Sequence, residues 1–170
     1  MRRLNFSYEA TSEEIVGSYE DYRKYLFSIK DALPESAFEF AIADWHYDHN
    51  DPRCPHDARL DSLEMTEKYV SNLSLKERAP LEITIILLSS FHNGRIRLSY
   101  RGVRYYSLEK FPISGIPTRV LKEPTTYHGD WLVDELCLSE DNFVVHEIDF
   151  AFGATWKIHC DDVKYEWLPL

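Results

Sequence analysis

The densest group of side chains that could take part in chemistry lies between His46 and Asp57. This stretch holds three histidines, three aspartates and one cysteine. Imidazole, thiolate and carboxylate groups are the ligands that Zn²⁺ takes in proteins, and a structural site needs four of them. The candidate ligands are His46, His49, Cys54 and His56. Their spacing fits no zinc finger, so the alternative is a solvated loop whose aspartates stabilise turns, and we predict no bound metal.

The end of this loop leads directly into a predicted strand. Cys54-Pro55-His56-Asp57-Ala58 precedes a strand that begins at Arg59. An aspartate in this position can fix the loop through hydrogen bonds to backbone amides, with His56 as its neighbour. A direct contact of this pair with a ligand or a partner is the second interpretation.

The motifs of the common enzyme classes are missing from the sequence. It has no G-x-S-x-G turn for a nucleophile and no glycine-rich phosphate loop. Glu135 with Glu147, or His128 with Asp130, could serve as acid and base on adjacent strands, but such pairs are more typical of a solvated sheet face. His146 alternates with apolar residues, which indicates a buried, hydrogen-bonded histidine. We therefore predict a protein without catalysis and without a cofactor.

Charge gives the clearest information about partners. The formal net charge is −10, and residues 125–170 contribute 10 acidic against 2 basic side chains. A chain this acidic repels nucleic acids and anionic membranes, and it attracts a basic protein. We expect the acids of residues 125–170 to form one contiguous patch. The residues predicted to contact the partner are His56, Asp57, Asp130, Asp134, Glu135, Glu147 and Asp149.

Four arginines form a basic stripe in this acidic protein: Arg95, Arg97, Arg101 and Arg104. Two of them alternate outward along a predicted strand. One interpretation is that neighbouring acidic strands pair with them. The other is a homodimer in which this stripe contacts an acidic patch of a second copy.

The elements that position these residues are a helix followed by strands. A helical segment is predicted for residues 11–33, where apolar side chains recur every three or four residues before Pro34. Alternation of Phe38, Phe40 and Ile42 predicts a strand. Further predicted strands cover residues 60–65, 81–88, 95–106, 131–138, 143–151, 154–160 and 163–168. His92-Asn93-Gly94 is predicted as a hairpin turn and Gly102 as a bulge, whereas residues 66–80 and 107–127 are predicted as connections.

This order of elements predicts the α+β class: a largely antiparallel sheet or sandwich with one N-terminal helix, in a single domain over residues 1–170. No strand is followed by a helix of the length that a parallel crossover needs. Because no apolar stretch follows Arg2 and Arg3, we expect no signal peptide, and the longest apolar run, Ile85–Leu88, is too short to span a bilayer. Three cysteines without an export signal are expected to be reduced, so we predict a cytoplasmic location.

A short segment resembles a known group of proteins. His56-Asp57-Ala58-Arg59-Leu60-Asp61-Ser62-Leu63, a His-Asp-Ala step that opens a strand, resembles small β-rich bacterial families among the immunity proteins of polymorphic toxin systems. Residues 129–135 and 146–150 are similar to such chains as well. The resemblance implies a cytosolic protein that neutralises another protein without catalysis.

The functional prediction is therefore a non-catalytic, immunity-protein-like binding module that masks a basic partner, such as a nuclease toxin, with an acidic surface. Two alternatives remain. One is a metal- or small-molecule-binding domain centred on residues 46–57. The other is a hydrolase that uses histidine and aspartate from the same loop.

Overall fold

The computed structural model describes residues 4, 11–67, 80–110, 128–151 and 153–170. Within these ranges the chain forms two α-helices, a short 3-10 helix and eight strands. The helical part comprises α1 (Ser12–Ser28), the 3-10 helix (Lys30–Ala32) and α2 (Glu35–Ile42). The strands are β1 (Arg59–Glu67), β2 (Leu81–Leu88), β3 (Gly94–Val103), β4 (Tyr105–Leu108), β5 (Trp131–Leu138), β6 (Val144–Phe150), β7 (Thr155–Cys160) and β8 (Asp162–Pro169).

The strands build two antiparallel sheets of four. One sheet has the order β1-β2-β3-β8 and the other β4-β7-β6-β5. The inward-facing side chains of both sheets and of the helices contribute to one core cluster, which includes Tyr22, Phe40, Leu98 and Trp156. The predicted α+β class with an N-terminal helix is thereby confirmed.

The N-terminal helix ends earlier than its prediction. Helix α1 starts with Thr11 as its cap: the Thr11 hydroxyl accepts from the Glu14 amide, and the Glu14 carboxylate accepts from the Thr11 amide. This reciprocal capping box satisfies backbone donors that the first turn leaves open. The helix gives way at Ile29 to the 3-10 turn over Lys30–Ala32.

The predicted strand at Phe38–Ile42 is wrong, because these residues lie in α2. Pro34 does not end the helical region but precedes a second helix, and its carbonyl accepts from the Phe38 amide at 2.9 Å. Helix α2 buries Ala37, Phe38, Phe40 and Ala41 and packs against β8 and β5. A five-residue alternation fits a helix buried on a broad face as well as it fits a strand.

The other predicted strands agree closely with the structure. The bulge at Gly102 is confirmed: its φ is +60°, and the β2–β3 register shifts between Leu81 and Ile83. Beyond it, the chain leaves the first sheet, and β4 pairs with β7 in the second. The positive φ of the β2–β3 turn is at His92 rather than in the Asn93-Gly94 pair. The larger part of each predicted connection lies outside the described residues, namely residues 68–79 and 111–127.

The open edge of β5 is covered by tyrosine hydroxyls from residues 11–48, which hold α1, the 3-10 helix, α2 and the start of the following loop and which we call the helical layer. Tyr22 of α1 donates to the Leu136 carbonyl at 3.1 Å and accepts from the Leu136 amide at 2.7 Å. Tyr25 accepts from the Leu138 amide at 3.2 Å, and Tyr47 donates to the Asp134 carbonyl at 2.9 Å. An edge strand otherwise presents unpaired backbone groups to other chains. We call these three side chains the tyrosine cap.

A membrane span is not found among the helices: in the described ranges, neither α1 nor α2 combines the length and the apolar character that crossing a bilayer requires.

Candidate functional site

The most connected group of polar side chains lies inside the protein, between the two sheets. It consists of Tyr100 on β3, Asp134 on β5, His146 on β6 and His46 in the loop after α2, each at most 2% exposed. Trp131 joins it from the start of β5. Because these residues come from both sheets and from the helical layer, the network connects all parts of the core. We call it the Asp134 network.

The carboxylate of Asp134 is the centre of this network. It accepts from His146 Nε2 at 2.8 Å, from Trp131 Nε1 at 2.9 Å and from His46 Nε2 at 3.0 Å. Burial by itself raises the pKa of a carboxyl group, but His46 and His146 outweigh that effect and hold the pKa of Asp134 well below its ordinary value of 3.8. Asp134 is therefore an ionised, buried acceptor.

The hydrogen-bond partners fix both ring protons of His46 and the Nε2 proton of His146. His46 Nδ1 lies 2.8 Å from the Phe40 carbonyl, which can only accept, so this nitrogen carries a proton. Since His46 Nε2 faces an ionised carboxylate, it carries one as well, and His46 is the cationic partner of Asp134. The Tyr100 hydroxyl lies 2.8 Å from His146 Nδ1, and burial raises the pKa of this phenol well above 10. His146 Nε2 lies 2.8 Å from the ionised Asp134 carboxylate, so this nitrogen carries a proton.

A chain of tyrosine, histidine and aspartate can move protons in an enzyme when a substrate reaches one end of it. Here every member is sealed from solvent, so the network acts as a structural element. A buried ion pair surrounded by hydrogen-bond partners penalises any packing that separates the pair. The geometry therefore indicates a role in fixing how the sheets and α2 meet.

The predicted loop ligands do not converge on a metal site. His46 belongs to the Asp134 network, and the buried Cys54 thiol donates to the His46 carbonyl at 3.0 Å. His49 and His56 stack with their ring centroids 3.9 Å apart. Across the ranges that the structure describes, no three histidine, cysteine or acidic side chains are grouped as metal ligands would be.

Three of the residues predicted to contact a partner do meet at the surface. His56 Nδ1 lies 3.3 Å from the Asp57 carboxylate, and Asp130 binds Arg59 at 3.0 Å. Asp57 fixes this corner with its backbone rather than its side chain: its φ is +60°, and its amide donates to the Trp131 carbonyl at 2.8 Å. Burial and the neighbouring His49 lower the pKa of His56, which favours its neutral form, so Asp57 and Asp130 outnumber the single Arg59 cation and the corner is net negative at neutral pH.

The remaining predicted contact residues do not form an acidic surface. Asp134 and Glu135 are buried, at 2% and 4% exposure, and Glu135 accepts from the Leu4 amide. Glu147 is 2.5 Å from Lys157 on the next strand, and Asp149 accepts from Thr155 at 3.0 Å. The expected contiguous patch of residues 125–170 is therefore not found: its acids are divided among the interior, cross-strand pairs and two separate sheets.

The basic stripe is likewise paired within its own surroundings. Arg95 binds Asp61 at 2.7 Å, Arg97 lies 3.5 Å from Glu166, and Arg104 lies 3.1 Å from Asp161. These three ion pairs agree with the interpretation in which neighbouring acidic residues pair with the arginines. Most of the positive charge of the stripe is thus balanced on the same molecule.

An excess of exposed acidic side chains lies on the helical layer, which the sequence analysis did not single out. Residues 11–48 contain nine acidic side chains against three basic ones, and all nine are exposed. They are Glu13, Glu14, Glu20, Asp21, Asp31, Glu35, Glu39, Asp44 and Asp48. The net charge of residues 1–92, already −7 in the sequence, is the feature that could have pointed to it.

Comparison with known proteins leaves the site to be interpreted from its own geometry. No protein family, no curated protein and no solved structure matches this chain.

Proposed function

We propose that this chain is a non-catalytic protein-binding module that binds a basic protein through the exposed acids of its helical layer. The observation that carries the proposal is the exposure of all nine acidic side chains of residues 11–48, opposed by only three basic ones. Such an excess steers a basic partner towards one part of the molecule.

Two further observations support a binding role. The groups best suited to acid–base chemistry, those of the Asp134 network, are enclosed and already satisfied by one another. Several acids in or next to the strands are engaged in ion pairs, and so are Asp21 and Asp44 of the helical layer, but the nine acids of that layer exceed its three bases. The proposal agrees with what the resemblance of residues 56–63 to immunity proteins implies, namely a protein that masks another protein.

The proposal includes a cytoplasmic location. Its support is the state of the cysteines: Cys54, Cys137 and Cys160 are all unpaired thiols. Disulfides are rare in the reducing cytosol, where free thiols persist.

The experiment is affinity capture from native cytosol at low and moderate salt, with three baits. The first is the unchanged chain. In the second, Glu20, Asp31, Glu39 and Asp44 of the helical layer are changed to lysine. The third is a matched control with lysine at Glu64, Glu67, Glu140 and Asp141, which are exposed on or between strands. Each exchange adds two positive charges, so both variants go from −10 to the same formal net charge of about −2.

We expect a basic protein to be retained by the unchanged chain and by the control variant, to be released as salt rises, and to be lost from the helical-layer variant. Equal retention on all three baits, or retention of no basic protein by the unchanged chain, contradicts the proposal.

A further inference from the structure

A groove of about 350 Å³ lies between α1, α2 and the residues that follow α2. Its apolar part is formed by Tyr19, Leu26 and Ile42, with the body of Tyr47 beside them. Its volume is at the lower end of the range of ligand sites in proteins, about 300–1,000 Å³. It is therefore large enough for an inserted side chain and small for an extended cofactor.

The rim of the groove is acidic. Glu20, Asp44 and Asp48 are exposed around it, and Arg23 is the basic residue among those that line it. Arg23 is 3.6 Å from Asp44, whose side chain is 96% exposed. One cation against three carboxylates leaves the rim with a net negative charge. An occupant with positive groups on either side of an apolar centre would match this distribution.

An exposed aromatic side chain lies beside a residue of the groove rim. Phe27 is one helical turn after Arg23 on α1 and is 50% exposed. Its ring is held edge-on against Phe38 of α2, with centroids 5.7 Å apart, and Arg23 lies 5.9 Å from its centroid. A large aromatic ring that is held in place loses little conformational freedom when a partner covers it, which is typical of residues that dominate the binding energy of interfaces.

We propose that this groove is the site where the basic partner docks, and that it takes a segment of that protein with one apolar anchor flanked by lysine or arginine. The inference rests on the proposed function and makes it specific: the apolar floor binds the anchor, and Glu20, Asp44 and Asp48 bind the flanking cations. Amphipathic segments that dock into apolar grooves follow this general pattern, with the anchor supplying affinity and the charges supplying selection.

The test uses the full chain and a synthetic peptide of about twelve residues, in which a central tryptophan and two leucines are flanked by lysines. In one control peptide the lysines are replaced by glutamates, and in another the apolar residues are replaced by alanines. Amide shifts in NMR spectra locate the site, and fluorescence anisotropy gives the affinity. The groove variants are Glu20→Lys with Asp44→Lys, and Ala43→Trp, which places a bulky ring at the groove. The matched charge control is Glu64→Lys with Glu140→Lys, two exposed acids outside the helical layer.

We expect amide shifts at Tyr19, Leu26 and Ile42, and an affinity about tenfold or more lower for both groove variants and for the alanine peptide. The charge control should bind within about twofold of the unchanged chain, since scattered surface charges contribute little individually.

Three results overturn the inference: shifts confined to the sheets, equal weakening by the groove and control charge variants, or full affinity of the alanine peptide. In each of these the chain still binds a basic ligand, so the proposed function survives without the groove. Absence of binding by every basic peptide also overturns the inference, and the capture experiment then decides the proposed function separately.

Discussion

Three side-chain N–H groups converge on the carboxylate of Asp134, from His46, His146 and Trp131. Removing one partner of a buried charge pair leaves the other without compensation, which costs more free energy than the pair itself contributes. Asp134 is therefore the side chain at which the stability of this fold is most sensitive to a single polar change.

Asp134→Ala should lower the free energy of unfolding by about 3 kcal/mol or more, because it leaves the His46 cation and two further donors unpaired. Urea denaturation followed by far-UV circular dichroism measures the change. Asp141→Ala, at an exposed turn, is the control and should stay within about 0.5 kcal/mol of the unchanged chain. A loss below about 1 kcal/mol in Asp134→Ala would contradict the assigned ion pair.

The same carboxylate predicts a pH dependence. The pKa of Asp134 is lower in the folded chain than its ordinary value of 3.8, so the folded form gains stability from ionisation above that pH. As the pH falls below 3.8, the unfolded chain takes up this proton first, and the contribution is lost by up to about 1.4 kcal/mol per pH unit. In denaturation series between neutral pH and pH 3, the free energy of unfolding should decrease less steeply for Asp134→Asn than for the unchanged chain. Parallel curves would refute the prediction.

The thiols give a third prediction at this scale. Burial raises the pKa of Cys54 and of Cys160 to about 12 in each case, and both side chains are at most 1% exposed. At pH 8 the thiolate fraction of each is then about one part in ten thousand. Cys137, which is only partly buried, should be the first to react with a thiol reagent in the native protein, as peptide mass spectrometry can establish. In denaturant all three should react alike, and fast native labelling of Cys54 would contradict the structure.

The burial of a single residue was predictable where strand alternation determined which side chains face the core. His146 was predicted as a buried histidine from its apolar neighbours and is one, whereas Asp134 and Glu135 were predicted to contact a partner and are buried. Acidic residues in a strand normally indicate a solvated face, and nothing local reveals the cation that stabilises Asp134. That cation, His46, lies 88 positions earlier in the chain.

At the scale of elements, the tyrosine cap connects α1 to the edge of β5. Tyr22→Phe removes both hydrogen bonds to the backbone of Leu136 while keeping the ring. Because the freed amide and carbonyl are buried, we expect a loss of about 1–3 kcal/mol in unfolding free energy. Hydrogen exchange at the Leu136 amide should become faster.

Tyr106→Phe, on the exposed short strand β4, is the matched control for Tyr22→Phe. It should change neither the free energy of unfolding nor the hydrogen exchange of the Leu136 amide. Unchanged exchange at Leu136 in Tyr22→Phe would mean that the hydroxyl does not protect the edge.

The strands were predicted well because most alternate along one buried face, as Ile96, Leu98 and Tyr100 do. Helix α2 was predicted as a strand because Phe38, Phe40 and Ile42 alternate over too short a window. The contrary evidence was local: a glutamate directly after Pro34, and two further residues, Ala37 and Ala41, one helical turn apart. The tyrosine cap could not be predicted, since it depends on which strand ends at an edge.

At the scale of the whole molecule, the class and the antiparallel pairing were predictable, but the assignment of each strand to one of two sheets was not. Strand β8 follows β7 directly, yet pairs with β3 in the other sheet, with Tyr100 opposite Val163. Such a pairing depends on contacts between residues far apart in the chain. The contiguous acidic patch predicted for residues 125–170 is not found, because burial and cross-strand pairing cannot be read from a charge count.

One shared core predicts cooperative unfolding. Both sheets and both helices contribute to a single buried cluster, so the predicted single domain should unfold in one transition. Tryptophan fluorescence, which includes the buried Trp131 and Trp156, should follow the same denaturation curve as far-UV circular dichroism. Two separated midpoints would show that the sheets unfold independently.

The tyrosine cap also bears on the order in which the protein is made. Tyr22 and the strand residue whose backbone it binds are 114 positions apart, so α1 leaves the ribosome long before β5 is synthesised. Helix α1 is therefore synthesised before the strand that it contacts. When the β5 edge first emerges, the side chains that cover it are already present on the same nascent chain, before a neighbouring polypeptide can pair with that edge.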